Sequence, residues 1–146
     1  MATLQIIPLT KPTLQICHDV NMMLKDLSDR KYSVDLNILQ NIADNPLTNL
    51  YLAYAPGEDH AVGMFTLAVT MLATSNHVWL EDVVVAGSAQ GRGYGKQLLI
   101  HAINQARTIC PGGQLMLTSR PSRLAANHLY TSLFKRKETN VYYLPL

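Results

Sequence analysis

Glu81 and Asp82 stand side by side in an otherwise apolar run, Val78-Trp79-Leu80-Glu81-Asp82-Val83-Val84-Val85. A carboxylate in such a strand is costly unless it is paired or faces a cleft. One that faces a cleft can accept a proton, so both residues are candidates for a general base. Successive strand residues face opposite sides, so both reach one site only if a bulge or splay intervenes. Alternatively they form a structural pair that caps a loop or bridges to an arginine. The chain then runs Ala86-Gly87-Ser88-Ala89-Gln90-Gly91-Arg92-Gly93-Tyr94-Gly95-Lys96 into a helical pattern. Glycines at a strand-to-helix junction let the backbone curl and turn its N–H groups outward. The positive end of the helix dipole adds to them, so the place suits a phosphate or pyrophosphate. Arg92 and Lys96 could add charge there. As merely solvated cations they would sit at the helix end that the dipole disfavours.

Two familiar phosphate loops do not fit. A P-loop requires Ser or Thr after Gly-Lys, and here Gly95-Lys96 is followed by Gln97. A dinucleotide fingerprint is Gly-x-Gly-x-x-Gly, whereas Gly91, Gly93 and Gly95 alternate. Glycines that serve packing alone remain an alternative. With its flanking strand and helix, however, Gln90-Gly91-Arg92-Gly93-Tyr94-Gly95 resembles the Gln/Arg-x-x-Gly-x-Gly/Ala signature of the GNAT superfamily of N-acetyltransferases. Asn127-His128-Leu129-Tyr130 is similar to that family's Asn-x-x-Tyr element, and the order of elements fits along the whole chain.

The resemblance implies a transferase that moves an acetyl group from acetyl-CoA, as co-substrate and without a metal, to a primary amine by direct attack in a ternary complex. It implies that Gln90 to Lys96 hold the pyrophosphate, largely through N–H groups. Val83, Val84 and Val85 would meet the pantetheine arm by main-chain hydrogen bonds, and Asn127 would contact the cofactor. Tyr130 takes the place of the thiol-protonating tyrosine. As a residue of a helix it could equally be core, with its hydroxyl at the surface. Leu80-Glu81-Asp82 resembles the segment in members that acetylate polyamines and amino sugars, which makes Glu81 the first choice for the base and Asp82 its partner. One departure stands out: the family's Leu-Gly-Phe is reduced to Leu133-Phe134. The lost glycine would normally supply the left-handed residue that ends the helix, which leaves the geometry after Leu133 open.

The acceptor is not named by these motifs. A small-molecule amine is favoured over a peptide amine, and a homodimer is the family's common assembly. A non-catalytic acyl-CoA-binding regulatory module is the alternative of a different class, and a protein N-acetyltransferase is a third. Arg120 and Arg123 could bind the cofactor's ribose phosphate or an acidic substrate group, or be solvated surface, and so could Lys135-Arg136-Lys137.

Composition sets the frame for these motifs. The 146 residues are 48% hydrophobic and 15% charged, which suits one packed domain over 1–146 and disfavours disorder. A net charge of +2 is too small to argue for nucleic acid or an anionic membrane. No apolar run approaches the ~20 residues of a membrane helix. Two cysteines, Cys17 and Cys110, make no disulfide framework, so a reduced, cytoplasmic setting is expected, and no signal peptide is recognisable. The five histidines show no metal-ligand spacing.

The elements that must position the motifs follow from periodicity. Strands are expected over Ala2–Ile7, Leu50–Ala55, Ala61–Met71, His77–Val85, Gln114–Thr118 and Val141–Leu144, with Pro56-Gly57-Glu58-Asp59 making a hairpin turn. Helices are expected over Thr13–Leu27, from a Ser33 cap through Leu36, Leu39 and Ile42, over Tyr94–Ile109, and over Pro121–Leu133. The order β-α-α-β-β-β-α-β-α-β gives an α/β domain. By the resemblance it is a GNAT-like mixed central sheet of six to seven strands with about four helices.

Overall fold

The computed structural model describes residues 1–146. The elements are β1 (Gln5–Pro8), α1 (Leu14–Leu27), α2 (Leu36–Asp44), β2 (Thr48–Tyr54), β3 (Ala61–Met71), β4 (Asn76–Val85), α3 (Tyr94–Ile109), β5 (Gln114–Met116) and α4 (Leu124–Leu133), with one 3-10 turn at Gly87–Ala89. The five strands lie in the order β1-β2-β3-β4-β5. All pairs are antiparallel except β4–β5, which α3 joins as a parallel crossover.

Alternation along the strands divides the core between two faces. Ala53, Phe65, Leu67, Val78 and Leu80 pack with Leu98, Leu99 and Ala102 of α3. Leu50, Leu52 and Met64 pack with Val20, Met23 and Leu24 of α1 and Leu39 of α2. The helices are started by their own side chains. The Thr13 hydroxyl accepts from Ile16 N at 3.2 Å, and the Asp35 carboxylate accepts from Ile38 N at 2.8 Å.

Several expectations are corrected. Asp35, not Ser33, caps α2: both are capping types, but Asp35 lies three residues before the N–H it satisfies. β1 starts at Gln5 because Leu4 N donates to Gln97 Oε1 instead of joining the ladder, and it keeps Pro8 because β1 is an edge strand. α4 starts at Leu124 because Arg120 to Arg123 form a turn, closed by Arg123 N donating to Arg120 O at 3.1 Å. The sheet has five strands, not six or seven, and Val141–Leu144 is not a strand. Val141, Tyr142, Tyr143 and Leu144 are 73–89% exposed. A strand needs a ladder, and the outer strand β5 offers an edge only three residues long. The dropped glycine after Leu133 has a simple outcome. Phe134 ends α4 in extended conformation, its N–H donating to Tyr130 O at 2.8 Å, with no left-handed residue.

β5 pairs with β4 only at His77–Trp79. From Leu80 onward β4 has no neighbour on that side, so the sheet parts where the Glu81-Asp82 segment begins.

Candidate active site

The bulge that the two carboxylates require is present. Met64 pairs with Val84 and Thr66 with Glu81, so β4 spends three residues where β3 spends two. Asp82 carries the extra turn with φ 54°, the only non-glycine residue with positive φ. Its effect is legible in the core: Val78 and Leu80 pack on the α3 face, but Val84 packs on the α1 face. An unbroken strand would keep all three on one side. Glu81 and Asp82 consequently line one cleft of about 1050 Å³, walled by the α1–α2 connection and by Leu117 to Arg123. Asp82 Oδ2 accepts from the Thr66 hydroxyl at 3.0 Å. Glu81 makes no hydrogen bond within the chain, and partial burial, then the neighbouring Asp82 charge, hold its carboxyl above the ordinary range.

A second cleft, about 460 Å³, lies between the free edge of β4, the start of α3 and the near face of α4. Val83, Val84, Val85, Gln90, Gly91, Gly93, Tyr94 and Gly95 line it. Gly91 and Gly93 take φ 78° and 77°, left-handed values that admit glycine readily. No side chain caps α3, so its first N–H groups stay free for an anion. Gln90 Nε2 donates to Val85 O at 3.0 Å, which folds the turn onto the strand end. Tyr94 is buried at 5% exposure and offers this cleft little beyond its backbone. Arg92 and Lys96 are exposed and lie outside the cleft lining; an Arg92 Nη2 donates to Ser88 O at 3.4 Å. Asn127 lies on the other side of α4, where its Nδ2 donates to Arg120 O at 2.8 Å.

The two clefts meet. Tyr130, Val83, Asp26 and Arg123 line both. Tyr130 is 7% exposed, and its ring meets Phe134 edge to face with centroids 6.4 Å apart. Burial raises its phenol above the ordinary value, against a smaller opposing effect of Arg123. The hydroxyl therefore keeps its proton at neutral pH and can donate it. Asp26 was not among the sequence candidates. Its Oδ2 accepts from Gly87 N at 2.9 Å, tying the end of α1 to the turn after β4. No local signal reveals a contact between residues 61 positions apart. Neither Cys17 nor Cys110 lines either cleft, and no three His, Cys, Asp or Glu side chains converge as metal ligands.

The family model described as Acetyltransferase (GNAT) family matches residues 16–134. The chain belongs to that family. The GNAT fold is seen across the whole domain in solved structures. An acetyltransferase of Trypanosoma brucei is 22% identical with a TM-score of 0.76, covering 98% of this chain and 99% of that one. An aminoglycoside acetyltransferase from an uncultured soil metagenomic sample is 21% identical with a TM-score of 0.78, over 98% and 97%. A ribosomal-protein-alanine N-acetyltransferase of Brucella melitensis is 14% identical with a TM-score of 0.75, over 99% of both chains. No curated protein matches the chain in sequence. As a GNAT acetyltransferase the chain is an acetyl-CoA-dependent enzyme. The cleft along β4 and α3 presents an unpaired strand edge and the uncapped N–H groups of a helix start.

Proposed function

We propose that this GNAT acetyltransferase passes the acetyl group directly to an amine bound in the larger cleft, with Glu81 as base and Tyr130 as acid. The observation that carries this reading is that Tyr130 sits where the donor and carboxylate clefts meet, with Glu81 lining the second. A lysine-like amine has a pKa of ~10.4, so about one molecule in 2,500 is neutral at pH 7. Glu81, raised and without an internal partner, takes the ammonium proton directly or through water. Asp82, held by Thr66, fixes the bulge and adds negative charge that favours a cationic acceptor. The neutral nitrogen forms its bond to the acetyl carbon as the carbon–sulfur bond breaks. Tyr130 supplies a proton to the departing thiolate, and the extra proton that the acylated nitrogen sheds restores the Tyr130 hydroxyl, leaving a neutral amide and a free thiol.

On the donor side, the main chain of Val83 to Val85 meets the pantetheine arm, and Gln90, Gly91, Gly93, Tyr94 and Gly95 take the pyrophosphate by N–H groups. Arg92 and Lys96 add long-range charge from outside the cleft. Asn127 acts through Arg120 and the loop it holds. The solved relatives act on chemically distant amines, an aminoglycoside and a ribosomal protein by their descriptions, so the fold does not transfer an acceptor. A thiol-release assay over an amine panel, beside calorimetry with acetyl-CoA, tests the reading. Release that is lost in Glu81→Gln and Tyr130→Phe with donor affinity retained supports it. Tight binding with no release on any amine would leave a binding module instead.

A further inference from the structure

Resting on that reading of the cleft, we infer that the acceptor is an amine that also carries a carboxylate, and that Arg120 selects it. The larger cleft has walls of different charge. Glu81 and Asp82 lie on the β4 side, and Arg120 and Arg123 lie on the loop between β5 and α4. No ion pair joins these two walls, because the sole ion pair in the protein is Asp19 with His60 elsewhere. The third wall, at the end of α1, is mixed: Lys25 and Arg30 stand there with Asp29 and with Asp26, which accepts from Gly87 N. Arg123 lines the donor cleft as well, whereas Arg120 lines only the carboxylate cleft.

Arg120 is exposed and its guanidinium has no partner within the chain, but its backbone is held. Its carbonyl accepts from Asn127 Nδ2 at 2.8 Å and from Arg123 N at 3.1 Å, so α4 fixes the turn that presents it. Beside it, Ser119 lines the same cleft and holds the one buried side-chain polar atom in the protein without a hydrogen-bond partner. Consecutive residues of one wall thus offer an unpaired guanidinium fork and an unsatisfied hydroxyl, donors of the kind that bind a planar carboxylate. A polycation would satisfy the Glu81 end but would meet repulsion at Arg120 and Arg123. The complement of the whole cleft is an ammonium at one end and a carboxylate at the other, as in an amino acid or the end of a peptide.

The test measures kcat/KM by thiol release for glycine, β-alanine, 4-aminobutyrate and 6-aminohexanoate, for the amide of each, and for spermidine. One carboxylate length is expected to exceed its own amide and spermidine by about tenfold or more. Arg120→Gln is expected to erase that preference by raising KM for the carboxylates more than for their amides, and Arg120→Lys to keep part of it. Amides or spermidine used as well as the carboxylates would overturn the inference while leaving acetyl transfer standing. A preference that survives in Arg120→Gln would overturn the role of Arg120. Thiol release from none of these amines, together with tight acetyl-CoA binding, would overturn this inference and the transfer reading together.

Discussion

The Thr66 hydroxyl donates to Asp82 Oδ2 at 3.0 Å across the bulge between β3 and β4. The bond sorts two adjacent carboxylates into different states. Asp82 is tied to the neighbouring strand, and Glu81, one residue earlier, is left without an internal partner.

Glu81→Gln is therefore expected to lower kcat by about 10²–10⁴-fold, the usual range for a lost proton acceptor. Asp82→Asn keeps a side chain able to bond Thr66 and is expected to cost less. Calorimetry with acetyl-CoA should give near-equal affinity for wild type and both variants. A Glu81→Gln enzyme with full turnover would remove its role.

The acid limb of the pH–rate profile should follow Glu81. Burial raises its carboxyl, so the base form is lost on acidification at a higher pH than for an ordinary carboxylate. A limb that stays in place in Glu81→Gln would assign it to another group. Stability runs the other way. The folded state disfavours the ionised form, so the cost is present above the folded pKa and absent below the unfolded one. Glu81→Gln should raise the melting temperature at pH 8 more than at pH 4.

Tyr130→Phe separates chemistry from packing. Tyr130 lines both clefts, and its ring packs on Phe134. The variant should keep its melting temperature within a few degrees and lose about 10²-fold in kcat. A large fall in stability with unchanged turnover would make the residue structural.

The vulnerability of the glycine turn lies in its backbone. Gly91 and Gly93 share a left-handed backbone, which costs an alanine roughly 1–2 kcal/mol. A Cβ at Gly91 meets open space, and one at Gly93 meets only the end of the exposed Met1 side chain, which can swing aside. Gly93→Ala and Gly91→Ala should therefore destabilise by similar amounts in urea titration, each through its backbone. Both should weaken acetyl-CoA binding, since both turn the same N–H groups.

Asp19 and His60 make a separate pH-dependent tether. Asp19 is 4% exposed and accepts from Ala61 N and from His60 Nδ1, each at 2.8 Å. The bond to Asp19 raises the His60 pKa above 6.5. The tether's stabilisation is full below the unfolded pKa and is lost as pH rises through the raised folded value. Melting temperatures at pH 5.5 and 8.5 should differ less in His60→Ala than in wild type. Asp19→Asn should cost about 1–3 kcal/mol, because Ala61 N loses a buried charged acceptor.

Sequence and structure agree best where local rules suffice. Helix α3 is framed by Gly93 before it and Pro111 after it, and of its apolar face Leu98, Leu99, Ala102 and Ala106 are buried while Ile103 is half-buried. The glycine turn and the carboxylates were legible as residue types. The bulge that brings Glu81 and Asp82 to one cleft was legible only as a condition, because Asp82 in a left-handed conformation has no local signature. The contact of Asp26 with Gly87 was not legible, because only folding brings the two together. Val141 to Leu144 read as a strand from apolarity alone, but strand formation depends on an edge elsewhere, and β5 is too short to offer one.

The three-residue seam between β4 and β5 has a further consequence. In the sheet, everything from Gln114 onward hangs on His77, Val78 and Trp79. Few ladder bonds hold this last segment to the body, so its attachment rests mainly on side-chain packing, with Tyr130 in the core and Leu115, Leu129 and Phe134 against it. Its backbone amides should exchange with deuterated water well before those of β2 and β3. A molecule spanning the gap from β4 to α4 would slow that exchange, acting as the clasp that the sheet itself lacks.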